Sequence, residues 1–380
     1  MILSKGVFME SNYKVYRYLI ELIKSAINEE TPPELPAGIS LKKVYEVAVF
    51  HDVANIAFYS IERLNIKPQD EIYNNWMACR DLAISRDINQ SYAKDEILSK
   101  FKIYGIRSLE IQGTKTKLLY PSTEYRTMSD IDIIIDKENL SKAQDILKSL
   151  GYRSKIKNNR EIEAFRAPNI NIELHTEYFY DDTKYYKKLG FPFENFDNHT
   201  GECEVDINTF YLYSIMHLAK HYFSKGAGIR RILDVYLLNK KYADIIDKEY
   251  VLEKLKIAGL VEFAKEVSDL ADKWFGTETS NNILSDMEVA VINSGVHGTY
   301  TNLINNMIKT DVGQTQTNGK KLRYILNRLF AKKKMMSSRY PILKKYFFLY
   351  PFCWLHRLLK IMFKYPNRLF FEIKAILKFK

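Results

Sequence analysis

Apolar residues recur every three to four positions over residues 8–30 and 41–64, the period of helices with one buried face. Between them, Thr31-Pro32-Pro33-Glu34-Leu35-Pro36-Ala37-Gly38 cannot continue a helix and reads as a linker. Residues 70–101 keep the helical period, as one long helix or two. Near residue 106 the pattern changes. Ile106–Ile111 reads as a short strand, Gly113 as a turn, 114–120 as the start of a helix and 129–135 as a second strand. Residues 137–151 return to an amphipathic helix, with Leu140, Ala143, Ile146 and Leu147 on one face and Gly151 at its end. Two alternating segments, 161–167 and 170–176, complete the sheet. Helical spacing resumes over 207–224, 228–241, 249–257, 259–274 and 286–308, with polar linkers at 276–279 and 313–319. The pattern predicts an α+β fold: a small mixed-sheet core embedded between N-terminal and C-terminal helical regions. The expected division is a helical region 1–100, an α/β core 101–205, a helical domain 206–312 and a helical tail 313–380.

The second strand carries the most telling chemistry, Ser129-Asp130-Ile131-Asp132-Ile133-Ile134-Ile135-Asp136. Asp-x-Asp in a strand sets two carboxylates on one face, because strand side chains alternate. Two acids so close repel unless a cation lies between them, and oxygen ligands at such spacing suit Mg²⁺ or Mn²⁺. A third acid, Glu173, stands in the alternating run Ile170-Asn171-Ile172-Glu173-Leu174-His175. Asp130, Asp132 and Glu173 are therefore the expected metal ligands and catalytic acids, Glu173 as third ligand or general base, with His175 beside them. The bland alternative is a solvent-facing strand edge whose acids only discourage aggregation.

The segment Ile111-Gln112-Gly113-Thr114, through Leu119-Tyr120-Pro121 and Arg126 to Ser129-Asp130-Ile131-Asp132, resembles the DNA polymerase β-type nucleotidyltransferase superfamily. Within it, the chain is most similar to a bacterial family of uncharacterised nucleotidyltransferases. Ile172–His175, His217-x-x-x-His221, Arg230, Asp234 and the tail segments Arg339-Tyr340-Pro341 and Trp354-Leu355-x-Arg357-Leu358 also carry the likeness, which spans roughly residues 40–365. The resemblance implies transfer of a nucleoside monophosphate, AMP from ATP, to an acceptor hydroxyl, with pyrophosphate released. The acceptor stays open among a glycan precursor, a metabolite, a peptide and a protein, in keeping with the family's association with surface-polysaccharide and peptide modification. Gly113, Thr114, Lys115 and Arg126 are the expected nucleotide-binding residues: glycine admits a phosphate close to the backbone, and the helix start offers free N–H groups. Arg126 comes first among the cations, while Lys115 and Lys117 have an ordinary alternative as solvated lysines. One departure is Gln112, where such sequences often have lysine before the turn glycine.

His217 and His221 share a helix face. Zinc is one reading of that spacing, but position 218 is Leu and the metalloprotease pattern requires Glu there. The readings preferred here place His217, His221, Arg230 and Asp234 in a polar seam, either lining the cleft or internal to the fold.

The net charge of +11 is unevenly placed. Residues 320–380 hold 17 Lys and Arg against one acid, Glu372, so they carry +16 and the rest of the chain −5. Aromatics from Tyr340 to Phe363 interleave with these bases. The tail is expected to meet an anionic membrane surface or RNA, or else to pack its aromatics on the body and leave a solvated basic face, which is marginally favoured. Three scattered cysteines make no disulfide framework, and the N-terminal residues have no signal-peptide core, so a cytoplasmic enzyme is expected, with a membrane-peripheral placement open. Two rival functions remain at this stage: a non-catalytic nucleotide-binding or membrane-docked scaffold, which Gln112 favours, and a toxin-like enzyme modifying tRNA, which the tail favours.

Overall fold

The computed structural model describes residues 2–64, 71–157, 159–179, 189–190, 192–194, 196–197, 202–277, 284–296, 298–299, 303, 306, 325–331, 333–364, 366, 370, 373 and 376. In chain order they form α1 (Ile2–Ile27), α2 (Leu41–Phe50), α3 (Ala54–Ile61), α4 (Glu71–Ile103), β1 (Ser108–Glu110), α5 (Gly113–Thr116), β2 (Ile131–Ile135), α6 (Leu140–Ser149), β3 (Arg153–Lys157), β4 (Glu161–Arg166) and β5 (Ile170–His175). A two-residue ribbon, β6 (Phe196–Asp197) with β7 (Glu202–Cys203), precedes α7 (Ile207–Tyr222), α8 (Ile229–Tyr242), α9 (Lys248–Ala258), α10 (Val261–Phe275) and α11 (Asp286–Ile292). This is the expected α+β fold. The chain divides into two compact units, Met1–Lys220 with Gly228–Val296, and His221–Ala227 with His297–Lys380.

In the first unit the strands β1–β5 make one sheet, ordered β1-β2-β5-β4-β3. Only the central pair β2–β5 is parallel. The isoleucines and leucines at alternate positions, Ile131, Ile133 and Ile135 on β2 with Ile170, Ile172 and Leu174 on β5, pack with Ala93, Ile97 and Phe101 of α4 and Leu140, Ala143, Ile146 and Leu147 of α6. Each such buried side chain contributes roughly 1.5–3 kcal/mol, so the sheet's inward face is strongly specified.

Three expectations about elements change. The sheet has a further edge strand, β3, whose Arg-Ser-Lys-Ile-Lys sequence is too polar to stand out. The helix expected over 41–64 is two helices. α2 closes with Asp52 in the left-handed region, φ 54°, while the N–H groups of Asp52 and Val53 bond back to Val49 and Ala48 at 3.0 and 2.9 Å. Asp replaces the usual glycine of this helix end, because its short polar side chain tolerates that conformation. The helix expected over 286–308 stops at Ile292, where a turn runs to Gly295 at φ 65°.

In the second unit Ala331, Met336 and Leu343 form a small buried cluster, against which Tyr350, Cys353 and Trp354 of the helix Tyr350–Lys364 pack. Arg357 is buried there and donates to the carbonyls of Leu329 and Arg328 at 3.2 and 2.7 Å. The expectation that the tail aromatics are packed away is corrected for several of them, since Phe347, Phe348, Phe352 and Phe363 are exposed. Among the described residues no helix is long and apolar enough to cross a membrane.

Candidate functional site

The face of the sheet opposite α4 and α6 carries its acids beside the buried Leu109 and Ile134, and register decides which side chains meet there. Asp132 stands opposite Glu173 across the parallel pair, and Ile134 opposite His175. On the other side of β5, Glu163 faces Glu173 and Glu161 faces His175. Lys155 and Lys157 of β3 in turn face Glu163 and Glu161. Directly paired residues share a face, so Asp132, Glu173 and Glu163 form a row of carboxylates that ends on the lysines of the edge strand.

His175 Nε2 lies 3.0 Å from Asp132 Oδ1 and 3.7 Å from Glu173 Oε2. Asp132, Glu173 and His175 each bring a donor atom within 4.8 Å of the others, and Glu161, Glu163 and Glu173 do the same. Asp130 stands outside both trios, at the entrance to β2, where the Ser129 hydroxyl donates to it at 3.1 Å. Burial, then the charge of Asp132, pushes the Asp130 carboxyl above its ordinary pKa. Glu173 rises to about 7, from burial first and then from Asp130 and Asp132. For His175, burial opposes the charge, but the hydrogen bond and charge of Asp132, with Glu173 and Glu161, raise its pKa. These carboxylates repel one another in a half-buried place, and oxygen donors so disposed fit a divalent cation. Among the described residues, the groups whose donors lie close enough to share one are Asp132, Glu173 and His175, and Glu161, Glu163 and Glu173.

Beside the acids opens a cleft of about 500 Å³, lined among others by Asp130, Glu173, Arg153, Lys155, Phe165 and Asn171. Asn171 donates to the Ser129 carbonyl at 3.1 Å and ties β5 to the start of β2. Glu161, Glu163, Arg153, Lys155 and Asn171 were not among the expected site residues. The alternation of Glu161 and Glu163 in Glu-Ile-Glu-Ala-Phe-Arg puts the first two on one strand face but does not tell that this face meets Glu173.

The turn after β1 behaves differently from its sequence reading. Gly113 is required by space: a Cβ there would lie 2.6 Å from Met128 Sδ. The Thr114 hydroxyl donates to the Ile111 carbonyl at 2.9 Å, closing the turn on itself. Gln112 sits at φ 51°, ψ −117°, a conformation that side-chain-bearing residues rarely adopt and that costs about 1–3 kcal/mol. Lys115 is half-buried. Lys117, which the sequence offered as a solvated lysine, is buried and ion-paired with Asp87.

Arg126 is also buried, and its guanidinium grips Asp234 from two sides, Nε to Oδ1 at 2.8 Å and Nη2 to Oδ2 at 2.9 Å. The Tyr120 hydroxyl donates to the same carboxylate at 2.6 Å. Burial opposes the charge on Asp234, but Arg126 and Tyr120 hold its pKa below the ordinary carboxylate value. Arg230 joins the cluster by donating to Asp52, to the Thr127 carbonyl at 3.0 Å and to the Thr127 hydroxyl at 2.5 Å. The Thr127 hydroxyl in turn donates to Asp52 at 2.8 Å. Asn55 and Gln90 hold the backbone on either side, donating to the carbonyls of Glu124, Tyr125 and Met128. The loop that delivers Asp130 is thus anchored by α3, α4 and α8. Arg231, the next residue on α8, contacts His217 Nδ1 at 3.2 Å, and burial, then Arg126 and Arg230, lower its pKa to about 10.

Asp234 therefore meets Arg126, Arg230 shares the Thr127 carbonyl with Arg126, and His217 meets Arg231, in a hydrogen-bonded ionic seam. His221 is half-buried, its carbonyl accepting from the N–H groups of Ser224 and Gly226 at 3.0 Å. Among the described residues, neither group of three donors that could share an ion contains His217, His221 or Asp234, so nothing there supports the zinc reading.

Residues 38–276 match a family model described as an uncharacterised nucleotidyltransferase. No curated protein and no solved structure matches the chain.

Proposed function

The chain belongs to this family of uncharacterised nucleotidyltransferases, and from that premise we propose that it moves AMP from ATP to a hydroxyl of its acceptor and releases pyrophosphate. The observation that carries the reading is the in-register pair Asp132–Glu173, with Asp130 at its head and His175 bonded to Asp132. Asp130, Asp132 and Glu173 would hold Mg²⁺ or Mn²⁺, which supplies positive charge to the triphosphate and acidifies the attacking hydroxyl.

Protein side chains do the rest. His175 orients the Asp132 carboxylate. Glu173, opposite Asp132 across the parallel pair, takes the proton of the acceptor hydroxyl. The acceptor oxygen forms a bond to the α-phosphorus as the bond from that phosphorus to the bridging oxygen of the pyrophosphate breaks. Gly113 and Lys115 serve the triphosphate, and Arg126 serves the loop through Asp234. The cleft, where Arg153, Lys155 and Phe165 stand across from Asp130, Glu163 and Glu173, receives the acceptor.

The test supplies each α-labelled nucleoside triphosphate with Mg²⁺ or Mn²⁺ and fractionated cell extract, and follows label transfer with pyrophosphate release. Transfer that disappears in Asp132→Asn supports the reading. Nucleotide binding without pyrophosphate release, for all four nucleotides and all fractions, would leave a binding protein and no transferase.

A further inference from the structure

The helix Tyr350–Lys364 has two faces of opposite fate. Tyr350, Cys353, Trp354 and Arg357, spaced three or four apart, turn inward onto the small cluster of the second unit. Phe352, Leu355, Leu359, Met362 and Phe363 follow the same spacing on the far side. That far side is apolar yet faces solvent: Phe352 is 70 % exposed, Leu355 50 %, Leu359 42 %, Met362 47 % and Phe363 75 %. The turn before the helix extends the patch with Phe347 and Phe348. A contiguous exposed patch of this kind marks a surface that something covers.

Charge identifies the cover. Lys333, Lys344, Lys345 and Lys364 are exposed around the patch, and Lys360 lies on the helix flank. Lys333 Nζ stands 4.2 Å from the centre of the Phe347 ring and Lys345 Nζ 5.3 Å from that of Tyr346. From residue 320 onward the sequence holds one acid, Glu372. An apolar stripe bordered by lysines and aromatic rings matches the boundary between anionic headgroups and acyl chains. RNA would need rings on which to stack bases, whereas the middle of this stripe is Leu355, Leu359 and Met362. At about 1.5 Å per residue, fifteen residues reach well short of the roughly 30 Å hydrocarbon core.

We propose that the helix Tyr350–Lys364 and the turn before it dock in the plane of an anionic lipid surface, with Phe352, Leu355, Leu359, Met362 and Phe363 in the acyl boundary and the lysines on the headgroups. The helix belongs to the second unit and the acidic row to the first, and no part of the transfer reaction is needed for the docking.

The test floats the full chain with phosphatidylcholine vesicles, with and without phosphatidylglycerol. Phe352→Glu/Leu359→Glu and Lys344→Gln/Lys345→Gln serve as variants whose melting curves should match the parent, since these side chains point to solvent. Anionic vesicles should bind the parent roughly tenfold or more tightly than neutral ones, and each variant should lose about that factor, as should high salt. Equal binding to both vesicles, or variants that bind as the parent does, overturns the proposal. So does a patch that, without binding vesicles, either retards tRNA in a gel or holds two copies together in sedimentation, each abolished by Phe352→Glu/Leu359→Glu.

Discussion

Arg126 and Asp234 meet through two parallel hydrogen bonds, 2.8 and 2.9 Å long, although 108 positions separate them. The pair joins the loop that leads into β2 to α8. Its first consequence concerns stability. Removing one partner leaves a buried charge without its counter-charge, at a cost of about 3–5 kcal/mol. Asp234→Ala should lower the unfolding free energy from denaturant melts by that much, and Arg126→Met/Asp234→Leu should recover most of it. A loss under ~1 kcal/mol in Asp234→Ala would show that the pair does not brace the loop.

Glu173 is expected to act on the acceptor more than on the nucleotide. Glu173→Gln should lower turnover about 10²–10⁴-fold while nucleotide affinity changes far less. Calorimetric binding alongside pyrophosphate release separates the two. Near-normal turnover would remove Glu173 as the base. The same substitution deletes one of three repelling carboxylates, so the metal-free variant should melt above the parent near pH 8.

His51 gives the fold a defined acid sensitivity. It is fully buried, accepts a hydrogen bond from the Ile229 N–H at 3.2 Å, and burial lowers its pKa from the ordinary 6.5 to about 4. Between those values the unfolded chain takes up a proton that the folded chain refuses. Stability therefore falls as pH drops through 6.5, by about 2 kcal/mol at pH ~5, and levels off below ~4 as far as this group is concerned. Denaturant melts at pH 5 and 7 test this. In His51→Gln the difference should shrink by about the same amount.

A side chain at Gly113 should be costly while Met128 is intact. Gly113→Ala must push Met128, the residue before Ser129-Asp130, and should cost about 1–3 kcal/mol. In a double-mutant cycle, Met128→Ala should make Gly113→Ala nearly free. Additive costs would show that Met128 is not what makes a side chain costly there.

Much of this was legible in the sequence for simple reasons. Alternation alone puts Asp130 with Asp132, and Glu173 with His175, on single strand faces, and the runs of isoleucine around them announce the covered face. Helical spacing announced α4, α6 and α10. What stayed hidden was pairing between distant residues. Nothing near Lys117 shows that Asp87 will neutralise it, and nothing near Arg126 points to Asp234. Glu161 and Glu163 became neighbours of Glu173 only through β4–β5 register. The break at Asp52 was invisible because the usual signal is glycine. The tail's aromatics read as core by a small margin and several of them are exposed, since helical spacing does not say which of two apolar faces is covered.

The parallel register of β2 and β5 ties chemistry to folding more closely than any single residue does. A slip of β5 by one position would turn Glu173 and His175 toward α4 and α6 and leave Ile172 and Leu174 in water. No folded protein with a scrambled acidic row is reachable by that route, because the error destroys the core at the same stroke. A chain that avoids the one-position slip thereby keeps Glu173 and His175 on the face of Asp132.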